Sequence, residues 1–106
     1  MNLLSRSEEV YLLAILKLKD NAYGVPIKKF VSNKMRKIIS YGGLYFALDQ
    51  LVKKGLVNKR AGEPTAKRGG RTKFYYTLTD EGKLALKATF EHQKLLWNDI
   101  SDLAFD

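Results

Sequence analysis

Thirteen lysines and arginines fall between residues 21 and 79: Lys28, Lys29, Lys34, Arg36, Lys37, Lys53, Lys54, Lys59, Arg60, Lys67, Arg68, Arg71 and Lys73. Only Asp49 and Glu63 oppose them there. The net charge of the chain is +8, yet residues 1–20 are neutral and residues 80–106 are acidic, so the middle segment alone carries +11. An excess confined to one segment is the electrostatic footprint of a polyanion partner, with nucleic acid the first candidate, whereas evenly scattered lysines read as a solvated surface. Inside the segment lies Ser40-Tyr41-Gly42-Gly43-Leu44-Tyr45. Ser40 has the position of a helix N-cap, and the glycines fall in the first turn. A helix start offers free N–H groups to an anion, and glycine lets backbone approach a phosphate or a base edge. Simple fraying of a glycine-weakened turn accounts for the pair equally well.

Other chemistry is poorly supplied. There is no cysteine and one histidine, His92, on the polar flank of the last predicted helix beside Glu91 and Lys94. Thiolate chemistry is therefore excluded, no cluster has metal-ligand spacing, and no second histidine serves a hydroxyl nucleophile. Gly69-Gly70 reads as a turn, not half of a dinucleotide motif. Neither an enzyme nor a cofactor is expected. The 106 residues suit one domain, and 45% hydrophobic residues suffice for a core. The start Asn-Leu-Leu-Ser-Arg is no signal peptide, and the longest apolar run, Val10–Leu16, is too short for a bilayer, so a cytoplasmic protein is expected.

The elements that must position these residues follow from periodicity. Ser5-Arg-Ser-Glu8 has capping-box spacing and opens a helix to about Lys19 that is apolar on nearly all sides. Such a helix needs cover on more than one face, from the core and from either the last helix or a second subunit. A second helix, with Pro26 in its first turn and Ile27, Phe30 and Val31 facing inward, ends near Asn33. The third runs from Ser40 to Gly55, with Leu44, Leu48, Leu51 and Val52 as its buried stripe and Tyr41, Tyr45 and Asp49 on another face. Leu56–Ala61 and Lys73–Thr79 read as strands around the polar loop Gly62–Arg71. Tyr75 and Tyr76 are neighbours in a strand, so one points in and the other out. Thr79 then caps a final helix expected to reach about Leu103. Helix, helix, helix, strand, basic loop, strand is the order of a winged helix-turn-helix. The expected fold class is α+β, mainly α: a winged domain over residues 1–79 and a C-terminal dimerisation helix over 80–106.

Two stretches make a resemblance specific. Gly42-Gly-Leu-Tyr45-Phe-Ala-Leu48-Asp-Gln-Leu51-Val-Lys-Lys-Gly55-Leu56-Val57 and Arg71-Thr-Lys73-Phe-Tyr75-Tyr76-Thr-Leu78-Thr79-Asp-Glu-Gly82 resemble the recognition-helix and wing motifs of the PadR family of bacterial transcriptional regulators. Tyr23-Gly24-Val25 and Ile27 match the family's second helix, while Gly43 and Pro26 depart from its usual residues. The resemblance implies a DNA-binding regulator, expected to be a repressor. Ser40, Tyr41, Gly42, Gly43 and Tyr45 would lie nearest the bases. Lys67, Arg68, Arg71 and Lys73 would act from the wing, and Lys28, Lys29, Lys34, Arg36 and Lys37 on the phosphate backbone. Tyr45 also has a plainer reading, with its ring packed and only its hydroxyl outside.

The last predicted helix carries more large apolar groups than a 106-residue winged helix can cover, Phe90, Leu96, Trp97 and Ile100 among them. With Leu12 of the first helix they are the expected homodimer surface. Short members of the family end in one such helix. In some, a tryptophan of this helix stacks on a small aromatic effector, for which Trp97 is the match; plain dimer packing of Trp97 is the other reading. The rival to the DNA reading is a winged-helix module that binds an acidic protein.

Overall fold

A computed structural model describes residues 3–62 and 73–106. Four helices, α1 (Arg6–Leu18), α2 (Gly24–Met35), α3 (Tyr41–Lys53) and α4 (Asp80–Trp97), enclose a small sheet of β1 (Val57–Ala61) and β2 (Phe74–Leu78). Single 3-10 turns cover Lys19–Asn21 and Asp102–Phe105. Lys67, Arg68 and Arg71 lie outside the described residues.

Helix α1 begins as its spacing requires. The Ser5 hydroxyl accepts from the Glu8 amide at 3.1 Å, and the Glu8 carboxylate accepts from the Ser5 amide at 2.9 Å. The helix is the hub of the domain: α2, α3, β2 and α4 all pack on it, and Tyr11, Leu12, Ala14 and Ile15 are buried. Of the two covers expected for its second face, the last helix is the one observed. The Leu4 amide donates to the buried Thr89 hydroxyl of α4 at 3.3 Å, and Gln93 donates to Glu9 at 3.1 Å. One expectation fails here. Leu12 is 0% exposed, enclosed by its own protomer, so it offers nothing to a second subunit.

Helix α2 ends on Arg36, a non-glycine residue at φ 55°, ψ 39°; the Arg36 and Lys37 amides donate back to Asn33 and Ser32. The Ser32 hydroxyl then accepts from the Ile39 amide at 3.1 Å and closes the turn into α3. Ile38 and Ile39 form no strand: Ile38 is exposed and Ile39 half-buried against the core.

In α3 the Ser40 hydroxyl accepts from the Gly43 amide at 3.0 Å, and Leu44, Leu48 and Leu51 are buried. The helix stops at Gly55, φ 77°, where the Gly55 amide donates to Val52 and the Leu56 amide to Leu51. This paired closure needs a left-handed residue, which glycine adopts without steric penalty. The start of α4 is built on it. Thr79 caps α4 by accepting from Gly82 at 3.0 Å, and its hydroxyl donates to the Gly55 carbonyl at 2.7 Å. A Cβ on Gly82 would stand 2.2 Å from the Leu56 carbonyl oxygen, so only glycine permits this docking.

The strands are antiparallel, from Val57 opposite Leu78 to Ala61 opposite Phe74. Tyr23 bridges to the other edge of β2, and the Tyr76 amide donates to the Ala22 carbonyl at 2.8 Å. Tyr76 points into the core and Tyr75 stays half-buried on the opposite face, as strand alternation requires.

The last helix is shorter than its apolar pattern suggests. It has 18 residues and ends at Trp97, not near Leu103. Asn98 leaves the helical region and Asp99 takes φ 66°. Short polar side chains compete for the backbone and tolerate the left-handed region, so Asn98-Asp99 stops a helix that the leucines would continue. The tail folds back, bringing Phe105 to Trp97 with ring centroids 6.0 Å apart.

Candidate nucleic-acid interface

The start of α3, the start of α2 and the base of the wing form one continuous surface. Tyr41 and Tyr45 stack with centroids 6.3 Å apart on the exposed side of α3, and Lys28 of α2 reaches over the Tyr41 ring at 5.0 Å. The Tyr45 hydroxyl sits where α2 begins: a Cβ on Gly24 would lie 2.2 Å from it. The plainer reading of Tyr45 is thus inverted, for its hydroxyl is tucked against α2 while the ring keeps an exposed edge. The same contact explains the Tyr23-Gly24 pair, whose glycine makes room for a side chain of α3.

Next to Gly24, Tyr23 meets Tyr75 of β2 with centroids 5.5 Å apart. Lys73 lies over Tyr23 at 4.5 Å, and Arg60 of β1 over Tyr75 at 4.9 Å. Two cations are thereby held on a pair of aromatic rings at the wing base. Of the predicted residues, Tyr41 touches both Lys28 and Tyr45, and Lys73 lies over Tyr23 beside them. Ser40 serves as the cap. Lys29, Arg36 and Lys37 stand exposed on α2 and the turn after it, and Lys34 leans on Phe30 at 5.6 Å.

The two first-turn glycines differ. A Cβ on Gly43 would meet the Ser40 hydroxyl at 3.2 Å, whereas nothing lies within 4 Å of one on Gly42. Gly42 therefore answers no demand of the fold. Arg36 is the converse, a large cation held where glycine is the easy choice; left-handed backbone costs such a residue about 1 kcal/mol.

Sequence reasoning missed three residues. Arg60 was legible as the cross-strand partner of Tyr75, and Lys59 as part of the same basic strand; Lys59 lies 3.8 Å from Asp49 and 4.4 Å from the Phe74 ring centroid. Phe46 lies opposite the Leu44–Leu48–Leu51 stripe, a position that the buried stripe itself fixes.

Behind this surface, burial pushes the Tyr76 hydroxyl up to about 12, with the Asp49 charge and Tyr45 adding to the effect. That hydroxyl finds no hydrogen-bond partner among the described residues. Glu8 is held below the usual carboxylate range by its hydrogen bond from Lys54 at the end of α3, with the Ser5 amide second. Among the described residues no group of three or more His, Cys, Asp or Glu is placed to hold a metal ion, and no helix is long and apolar enough to cross a membrane.

A three-helix core with its third helix bare at the start, flanked by a two-stranded wing with cations at its base, defines a winged helix-turn-helix DNA-binding protein. The chain belongs to the transcriptional regulator PadR-like family, whose model matches residues 12–88. Members are transcriptional regulators, not enzymes. No functionally curated protein matches the sequence significantly. Among solved structures, the chain is similar to H. salinarum RosR, with 28% identity and a TM-score of 0.72 over 93% of this chain and 82% of that one. A PadR family transcription regulator from Clostridium difficile R20291 is 29% identical, with a TM-score of 0.62 over 84% and 88% of the two chains. Bordetella bronchiseptica BpsR, whose DNA binding is regulated by 6-hydroxynicotinic acid, is 13% identical; its TM-score of 0.66 over 94% of this chain and 70% of that one is a likeness of fold alone.

Proposed function

We propose that the protein is a homodimeric repressor that places α3 in the major groove of an inverted-repeat operator. The observation that carries this reading is the continuous surface at the α3 start, where exposed Tyr41 and Tyr45 are flanked by Lys28 and by the Lys73–Tyr23–Tyr75–Arg60 stack. Ser40, Tyr41, Gly42, Gly43 and Tyr45 face the bases. Lys28, Lys29, Lys34, Arg36 and Lys37 hold phosphates, and Lys67, Arg68, Arg71 and Lys73 act from the wing. The dimer is made by the exposed apolar face of α4 and the tail that follows it, with Phe90, Leu96 and Trp97 of the helix and Ile100 of the tail in the contact. Two-fold pairing then sets two reading helices one helical turn of DNA, ~34–36 Å, or a multiple of it apart. A small aromatic effector stacks at Trp97, beside the Phe105 ring, and releases the operator.

Salt titration of operator binding tests the first part. Each phosphate neutralised contributes about 0.9 to the slope of log affinity against log salt, so a dimer using three cations per protomer gives a slope near about −5. An affinity unchanged between low and physiological salt would remove nucleic acid as the partner.

A further inference from the structure

The line of α3 farthest from its buried stripe runs through Gly42, Phe46, Asp49 and Lys53, at the i, i+4, i+7 and i+11 spacing of one helix face. Phe46 is its crest. It is 67% exposed, more than Tyr41 or Tyr45. One exposed hydrophobe by itself explains nothing. Here its setting is particular. One turn before it the helix is bare backbone, with nothing within 4 Å of a Cβ on Gly42. One turn after it Asp49 is drawn toward Lys59 at 3.8 Å, which leaves the ring standing free of both neighbours. Lys28 lies over Tyr41 on the flank of the same helix and Lys53 ends the Phe46 line itself, so cations stand on both the flank and the far end of the exposed side. An apolar knob on a cation-flanked helix fits a polyanion whose groove contains an apolar group, and the major groove has one: the 5-methyl of thymine.

We propose that Phe46 is a specificity-determining residue whose ring packs on the methyl group of one thymine in each half-site. The proposal rests on the reading of α3 as the major-groove helix and adds the base that it selects. A benzyl side chain neither accepts a hydrogen bond from the cytosine amino group nor donates one to guanine, so the other bases at that position leave a polar edge desolvated without a partner. Gly42 deepens the approach, because a side chain there would stand between the helix and the groove wall.

The test uses the full chain and duplexes selected by it from a random library. Each thymine of the selected half-site is replaced in turn by deoxyuridine, which lacks only the methyl. Binding is measured for the wild type and for Phe46→Ala, whose fold is checked by thermal unfolding. Losing one methyl contact is expected to weaken wild-type binding about fourfold at one position per half-site, which is ~0.8 kcal/mol at ~1.4 kcal/mol per tenfold. The same replacement should change nothing in Phe46→Ala, while the other thymines behave alike in both proteins. If the wild type selects a duplex but no thymine shows this coupling, or if Phe46→Ala binds as tightly as the wild type, the Phe46 assignment is wrong and the major-groove reading stands. If the wild type selects no duplex at all, the major-groove reading itself fails.

Discussion

Helices α3 and α4 each carry eight apolar residues, among 13 and 18 positions, but stand in opposite relations to the rest of the chain. In α3 the three leucines of the inner face are buried, and the exposed side is narrow, glycine-opened and bordered by cations. In α4 only Gly82 and Thr89 are buried, and Leu84, Phe90, Leu95, Leu96 and Trp97 face solvent, with Leu95 at 71%. Both ends of α3 are fixed, by Ser40 and by the Gly55 closure, with Lys54 held by Glu8. Only the first end of α4 is fixed in this way, through Thr79 on Gly55. A helix pinned at both ends with a charged rim suits reading a rigid polyanion. A helix pinned at one end, with a wide apolar face on a molecule 56 Å long and 29 Å across, suits burial against its own copy.

The largest effect should come from taking that second helix away. Removing residues 90–106 leaves the Thr89 contact with Leu4 in place and deletes Phe90, Leu95, Leu96 and Trp97 from the apolar face. Sedimentation should change from a dimer to a monomer lighter than the 12.1 kDa full-length protomer, and operator affinity should fall by about 10²–10⁴, the usual gain from tethering two sites. Because truncation also removes the Gln93 hydrogen bond to Glu9 of α1, Leu96→Glu with Ile100→Glu is the companion variant; both residues are exposed in the protomer, so its fold should survive. An intact protein that sediments as a monomer and still binds with full affinity would erase the contrast between the two helices.

Glycines and one arginine sharpen the contrast next. Gly82→Ala pushes a Cβ into the Leu56 carbonyl and should destabilise the fold by about 1–3 kcal/mol. Gly42→Ala meets open space and improves helix propensity, so it should stabilise by up to about 1 kcal/mol. Arg36→Gly relieves a left-handed residue and should stabilise by a similar amount, at most about 1 kcal/mol. If α3 and the turn before it serve DNA, both stabilised variants bind the operator more weakly than the wild type. Denaturant titration gives the first quantity and duplex binding the second. A Gly42→Ala protein that is more stable and binds equally well would favour fraying as the whole account of the glycine pair.

Much of this was legible in the sequence because it depends on local rules. The Ser5 box, the Ser40 and Thr79 caps, the Gly55 stop and the alternation of Tyr75 and Tyr76 are all set by neighbours a few residues away. What was illegible depends on contacts distant in sequence. Leu12 looks like any leucine of an all-round apolar helix, and only the packing of α4 on α1 shows that its own protomer encloses it. The early end of α4 lay in Asn98-Asp99, a polar pair outweighed in a periodicity argument by Ile100 and Leu103. Tyr45 was read from its position on α3, but its hydroxyl is placed by Gly24, twenty-one residues earlier. Phe46 was missed because the tyrosines drew attention to the flank of the exposed face and away from its centre.

The smallest effect concerns how α3 is held from behind. Glu8 joins three things: it closes the α1 capping box, accepts from Lys54 at the end of α3, and lines a small cleft with Ser7, Tyr11, Ala47, Gln50 and Leu51. Its carboxyl lies below the ordinary 4.5 because Lys54 and the Ser5 amide favour the charged form. A carboxyl lowered by folding binds fewer protons in the native than in the unfolded state. Its contribution is therefore fully present above pH 4.5 and is lost as pH falls through the folded value. Glu8→Gln keeps a capping-box side chain but cannot titrate, so the variant should lose less stability than the wild type between about pH 5 and pH 3. At neutral pH the difference should stay within about 1 kcal/mol, since half of the Lys54 side chain is in solvent. Urea unfolding at a series of pH values reads both numbers. Parallel acid limbs for the two proteins would mean that Glu8 carries no folding-linked proton, and that α3 is held at its far end by the Gly55 closure alone.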